Sequence, residues 1–153
     1  MIIKELNQKP GLTGDAKATE AYLQFEKLLT ELRNRELPDE IVVSVNREID
    51  DINATQFSGK DLVKQLKTKK SSILKLLEKE MKLVPKHYYM SIWMAVGMAA
   101  FGVPIGVALG LSLDNMAFIG IGLPIGMPIG MAIGVGMDKK ASDEGRQLDL
   151  QLK

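Results

Sequence analysis

The sequence has no cysteine, a single histidine, a single tryptophan and, between Met90 and Met137, a single charged residue, Asp114. Without cysteine there is no disulfide, no thiolate nucleophile, no Cys-based zinc site and no lipoprotein anchor. The lone histidine, His87, lies between Lys86 and Tyr88, where a solvated or membrane-surface role fits better than catalysis. The opening residues MIIKELNQKPG contain no apolar run of about 7–15 residues behind a basic start. No cleavable signal peptide is therefore expected, and the first domain should stay on the side where it is made. Charge, at 25% of the 153 residues, looks globular on average. Its near-absence from one 48-residue stretch is instead the segregation of a membrane protein.

That apolar stretch has its own grammar. From Ala100 it runs AFGV, PIGV, ALGL; from Pro124 it runs PIGM, PIGM, AIGV. Glycine thus recurs every fourth residue at Gly102, Gly106 and Gly110, and again at Gly122, Gly126, Gly130 and Gly134. The polar pair Asp114-Asn115 splits the stretch into segments of 24 residues (90–113) and 22 residues (116–137). At about 1.5 Å per residue these helices reach roughly 36 and 33 Å, enough for a hydrocarbon core of about 30 Å. In water the six glycines and two prolines of the second segment would cost a helix about 6 kcal/mol for the glycines and about 6 kcal/mol more for the prolines, relative to alanine. In a bilayer no water competes for the backbone and the helix is enforced. Residues four apart share a face, and a face without side chains lets a second backbone approach closely. With two residues between the spans, the first partner is the other half of the hairpin.

The three- and four-glycine rows resemble the glycine-zipper pattern, GxxxGxxxG, of two-transmembrane glycine-zipper proteins, over about residues 100–136. The resemblance implies a membrane-embedded, often homo-oligomeric protein, and some zipper helices line channels. It departs from the lipoprotein members, which carry a signal peptide and a cysteine. Lys75, Lys79, Lys82 and Lys86 precede the first span, Lys139, Lys140 and Arg146 follow the second, and the connection has no positive charge. The positive-inside rule then places both termini in the cytoplasm, with a bacterial inner membrane as the expected location. Lys82, Lys86, Tyr88, Tyr89, Trp93, Lys139 and Lys140 are the expected membrane-interface residues. Pro85 is expected to bend the chain ahead of the first span. Pro104, Pro124 and Pro128 deprive the carbonyls of Ala100, Gly120 and Pro124 of donors, which reads as tolerated kinks rather than a polar path. Met90, Met94 and Met98 continue the four-residue row toward Gly102 and read as packing, not copper ligation.

Residues 1–87 read as a cytoplasmic domain of three amphipathic helices in an antiparallel bundle. Leu12-Thr13-Gly14-Asp15 signals a helix start, and Ala18, Tyr22, Phe25, Leu29 and Leu32 form one stripe up to about Arg35. Asp39 to Ala54 carries Val42, Val45, Ile49 and Ile52. Ser58-Gly59-Lys60-Asp61 matches a capping box, followed by Leu62, Leu66, Ile73, Leu77, Met81 and Val84. Residues 1–57 have seven basic against eleven acidic side chains, whereas residues 58–87 have nine against three. The basic part adjoins the membrane, and its lysines read either as leaflet-facing or as the solvated face of a helix. Nucleic acid is not expected as a partner, since no aromatics interleave with the lysines. Residues 138–153 read as a flexible polar tail in which Leu148, Leu150 and Leu152 alternate.

No catalytic, cofactor-binding or metal-ligating set emerges. Gly120, Gly122 and Gly126 miss dinucleotide-loop spacing by one residue, and Ser58-Gly59-Lys60 lacks the earlier glycine of a phosphate loop. Neither span holds an ionisable residue for transport chemistry. The expected class is an all-α, non-enzymatic membrane protein: an anchor, scaffold or regulatory subunit acting through association with lipids and with itself or a membrane-protein partner. An oligomeric pore former or membrane-permeabilising effector is the alternative.

Overall fold

The structure is a computed structural model that describes residues 2–9, 12 and 14–151, the last by its backbone alone. Thr13 of the helix-start signal and Leu152 of the alternating tail lie outside the described residues. The chain is mostly helical and divides into two units, with the boundary between Leu83 and Val84.

In the first unit, α1 (Ala16–Arg33) starts where Asp15 caps it, a carboxylate oxygen accepting from the N–H groups of Lys17 at 2.9 Å and Ala18 at 3.1 Å. Its stripe is buried and widened by Ala21 and Leu28. Helix α2 (Asp39–Ala54) buries Ile41, Val42, Val45, Ile49 and Ile52. Helix α3 (Gly59–Met81) buries Leu62, Leu66, Ile73 and Leu77 and packs on both α1 and α2. Full burial of each such side chain is worth about 1.5–3 kcal/mol, so the three stripes are the main source of this unit's stability. Ser58 stands at the N-cap of α3, but its side chain makes no capping bond and the box does not close there. The helix also stops earlier than the stripe suggests. Lys82 turns left-handed at φ 55°, its N–H reaching Glu78 O at 3.1 Å. Val84 falls in the second unit.

Two of the α3 lysines are occupied inside the unit. Lys69 bridges Glu48 at 2.6 Å and Asp51 at 2.5 Å, while Lys70 donates to Gln24 Oε1 at 2.9 Å. Lys60, Lys64, Lys67, Lys75 and Lys79 are exposed, on the side of the helix away from its buried stripe. Residues 2–9 form neither helix nor strand, with Ile3 and Leu6 buried, and side chains of α1 and α2 grip their backbone. The sequence alone suggests only a polar start here.

The second unit begins with β1 (Val84–Lys86), then α4 (Tyr88–Gly97), a π-helical turn (Met98–Gly102) and α5 (Val103–Ser112). A short 3-10 turn (Met116–Phe118) leads into α6 (Ile119–Asp143) and then β2 (Gln147–Gln151). The polar break is tight. Asp114 is left-handed at φ 50°, Asn115 N–H bonds Gly110 O at 2.9 Å, and Asn115 Oδ1 caps Ala117 N–H at 3.0 Å. At the far end α6 outruns the apolar stretch by six residues, and the expected flexible tail is instead ordered structure through Gln151. Gly145, at φ 68°, closes a Schellman cap: its N–H bonds Ser142 O at 3.0 Å and the Arg146 N–H bonds Ala141 O at 2.8 Å. The chain reverses there, so β2 runs in the same direction as β1 and the two form a parallel pair, with Val84 opposite Gln147 and Pro85 opposite Leu148. Leu148 and Leu150 are buried.

Candidate functional site

The feature with a specific geometry is the seam between α4–α5 and α6. Both helical stretches, Tyr88–Ser112 of 25 residues and Met116–Asp143 of 28, are long and apolar enough to cross a membrane. They lie against each other along their glycines. A Cβ placed on Gly122 would sit 2.0 Å from Gly102 O and 2.7 Å from Gly106 Cα; on Gly126, 2.4 Å from Gly97 O and 2.5 Å from Gly102 N; on Gly130, 1.9 Å from Trp93 O; and on Gly134, 2.4 Å from Met90 Cα. From the other side, a Cβ on Gly102 would sit 3.0 Å from Gly122 O and Leu123 Cα, on Gly106 2.5 Å from Ile119 O, and on Gly110, more loosely, 3.3 Å from Met116 Sδ. No side chain larger than hydrogen fits at most of these positions. With only hydrogen there, the two backbones lie close enough for weak Cα–H···O contacts, worth about 0.5–1 kcal/mol each. Gly97 and Gly126 oppose each other: a Cβ on Gly97 would sit 2.5 Å from Gly126 O, and one on Gly126 2.4 Å from Gly97 O.

Gly97 is a seam residue that four-residue spacing passes over. Counting back from Gly102 by fours leads to Met98, Met94 and Met90, yet the backbone touching α6 runs through Tyr89, Met90, Trp93 and Gly97. The π-helical turn is the reason. Pro104 has no N–H for Ala100 O and its ring crowds that carbonyl; the helix widens by one residue, so that Val103 N–H bonds Met98 O instead. The face is thereby shifted by one position: Met94 and Met98 fall outside the contacts, while Met90 meets Gly134 through its backbone. The sequence signal was present: Gly97, one residue out of step and seven residues ahead of Pro104.

The open end of the hairpin is fastened by Asp138. This carboxylate is buried, at 7% exposure, and its two oxygens accept from the N–H groups of Tyr89 at 3.0 Å and Met90 at 2.9 Å. It caps α4 from the opposite helix, because the N-cap residue itself, His87, is left-handed at φ 60° and offers no side-chain cap. Sequence reasoning leaves Asp138 in a polar tail; its one clue is a carboxylate directly after the last apolar turn. Below it Lys86 of β1 pairs with Asp149 of β2. Of the expected interface residues, Tyr88, Tyr89 and Trp93 are half-buried, with the two tyrosine rings edge to face at 5.2 Å. Lys139 and Lys140 are exposed in the last turns of α6. Lys82 is the exposed left-handed cap of α3, within the first unit.

Gly120 and Gly136 face open space. The large side chains face outward, with Ile125 41%, Ile129 38% and Val135 50% exposed. Pro104, Pro124 and Pro128 also lie on exposed surface. Among the described residues no cluster of three His, Cys, Asp or Glu is placed to hold a metal ion. Comparison of the chain with protein-family models, curated proteins and solved structures finds no match.

Proposed function

We propose that the chain is a non-enzymatic integral membrane protein whose glycine-seamed hairpin anchors or scaffolds a cytoplasmic helical domain, with the open end of the hairpin on the cytoplasmic side of a bacterial inner membrane. The observation that carries this reading is the burial pattern. Between Met90 and Met137 the buried residues are Gly97, Gly102, Gly106, Gly110, Gly122, Gly126, Gly130 and Gly134, all of them glycine. A water-soluble hairpin gains stability by hiding large side chains, at about 25 cal/mol per Å² of apolar surface. This hairpin hides its backbone and presents isoleucine, leucine, valine and phenylalanine outward. Lipid is the surrounding in which that inversion is stable, since packing, weak hydrogen bonds and small residues hold helices together there.

The polar groups support the same placement. Lys139, Lys140 and Lys86 gather at the end that carries Asp138, and Asp114-Asn115 at the other end lacks any cation, as the positive-inside rule requires for a cytoplasmic open end. Reporter fusions at Met1, Asn115 and Lys153 should give cytoplasm, exterior, cytoplasm in that order. An exterior signal at either end of the chain, or release of the protein by alkaline carbonate without detergent, would sink the reading. The seam also bears on association. Its glycines are already closed against the partner helix, so copies that assemble must do so through a different surface.

A further inference from the structure

The backbone of residues 2–7 is read by side chains of α1 and α2 in a manner that does not depend on what those residues are. Asn46 of α2 donates to Ile2 O at 3.0 Å and accepts from Lys4 N–H at 2.8 Å; one helical heptad later Asn53 donates to Glu5 O at 3.1 Å and accepts from Asn7 N–H at 2.8 Å. From α1, Arg33 reaches Ile3 O at 3.4 Å and Lys4 O at 2.7 Å, and the buried Tyr22 hydroxyl donates to Leu6 O at 3.0 Å. Five successive carbonyls, from Ile2 to Leu6, thus each accept from a side chain of the helices. The two asparagine amides straddle the buried anchors Ile3 and Leu6. Seven residues of helix span about 10.5 Å, close to three residues of extended chain at about 3.1–3.4 Å each, which is why the amides meet every third residue. Charge is matched as well. Lys4 pairs with Asp50 at 2.7 Å, and Lys9 donates to the carbonyls of Asn53 and Thr55 at the negative end of the α2 dipole. Clefts of about 340 and 590 Å³ open beside Ile2 at one end of the segment and Lys9 at the other.

We propose that residues 2–9 are an exchangeable arm, and that this groove accepts the same segment from a second copy of the chain. The arm is bound to its own domain through side chains and two apolar anchors, with no sheet or helix ladder to break. Every bond lost in one copy is remade in the other, so exchange costs only the entropy of association. Ahead of α1, Gly14 is left-handed at φ 106°, so the chain turns there between arm and helix. The surface fits the pattern apolar-x-x-apolar-x-x-basic, as in Ile3, Leu6 and Lys9. It is independent of where the hairpin resides.

The absence of cysteine gives a clean test on the full chain in detergent micelles. One tagged preparation carries Lys4→Cys and a second, differently tagged, carries Asp50→Cys; both positions are half-exposed in the ion pair. After mixing and treatment with a short bis-maleimide, a covalent heterodimer should form at least fivefold above a control pairing Lys4→Cys with Lys60→Cys. A single chain carrying Lys4→Cys and Asp50→Cys should close internally. Adding Asn46→Leu and Asn53→Leu to the Asp50→Cys chain should lower the dimer about tenfold while the helical circular dichroism is unchanged. Internal closure without heterodimer above the control would overturn exchange. So would heterodimer indifferent to the asparagines, and failure of internal closure would remove the geometry on which the proposal rests.

Discussion

Two glycines ten residues apart in one helix behave as opposites. A methyl at Gly126 would meet Gly97 O at 2.4 Å and the Gly102 backbone at 2.5 Å, whereas one at Gly136 meets nothing within 4 Å. Gly126→Ala should therefore force the helices apart and lose about 1–2 kcal/mol of helix contact. Gly136→Ala should be neutral or gain up to about 1 kcal/mol from helix propensity. Protease resistance and thermal unfolding of the hairpin in detergent would separate them, and equal behaviour would refute the seam. Lys70 offers a pH test at the same scale. Burial, helped by Lys67, holds its ammonium below the ordinary lysine value of 10.5. The unfolded chain then binds that proton more tightly than the folded one, so stability rises as pH climbs through the folded value toward 10.5. Lys69, raised by its bonds to Asp51 and Glu48, contributes stability that fades only above 10.5. The two windows do not overlap. Lys70→Met should flatten the rise in denaturant midpoint between neutral pH and 10.5, and an unchanged slope would assign that rise to other groups.

At the level of elements, the strongest dependence is of α4 on α6. The first N–H groups of α4 find their acceptors on Asp138, not within their own segment. Asp138→Asn keeps one acceptor and turns the other into a donor facing an N–H, at a cost of about 1–3 kcal/mol. Hydrogen exchange at the Tyr89 and Met90 amides should quicken while exchange in the middle of α6 does not; protection left intact would assign the clasp elsewhere. Helices and their buried stripes were legible in the sequence because periodicity reports burial directly. The stripes of α1 and α2 are where the spacing puts them. The left-handed stop at Lys82 and the strand pair were not legible, the pair because its two halves are brought together only by folding; the one-residue reset before Pro104 left a trace in the out-of-step Gly97. Strands of three and five residues, one containing Pro85, give too short an alternation to stand out. The arm was hidden for the same reason: Ile3 and Leu6 are three apart, a spacing with meaning only beside Asn46 and Asn53.

For the whole molecule, the division at Leu83 makes a further expectation. A fragment ending there keeps α1, α2, α3 and the arm, and should give a helical circular dichroism spectrum with one cooperative transition. A spectrum of strand or coil would contradict the three-helix unit. The parallel pairing of β1 with β2 has a different consequence, one of timing. Val84 and its partner Gln147 leave the ribosome about 60 residues apart, so at about 5–20 residues per second β1 waits roughly 3–12 s for its mate. Asp138 is made nine residues ahead of Gln147, so the acceptor for the Tyr89 and Met90 amides exists before the second strand does. Of the contacts that fasten the open end of the hairpin, the strand pair is the one whose second half is made last.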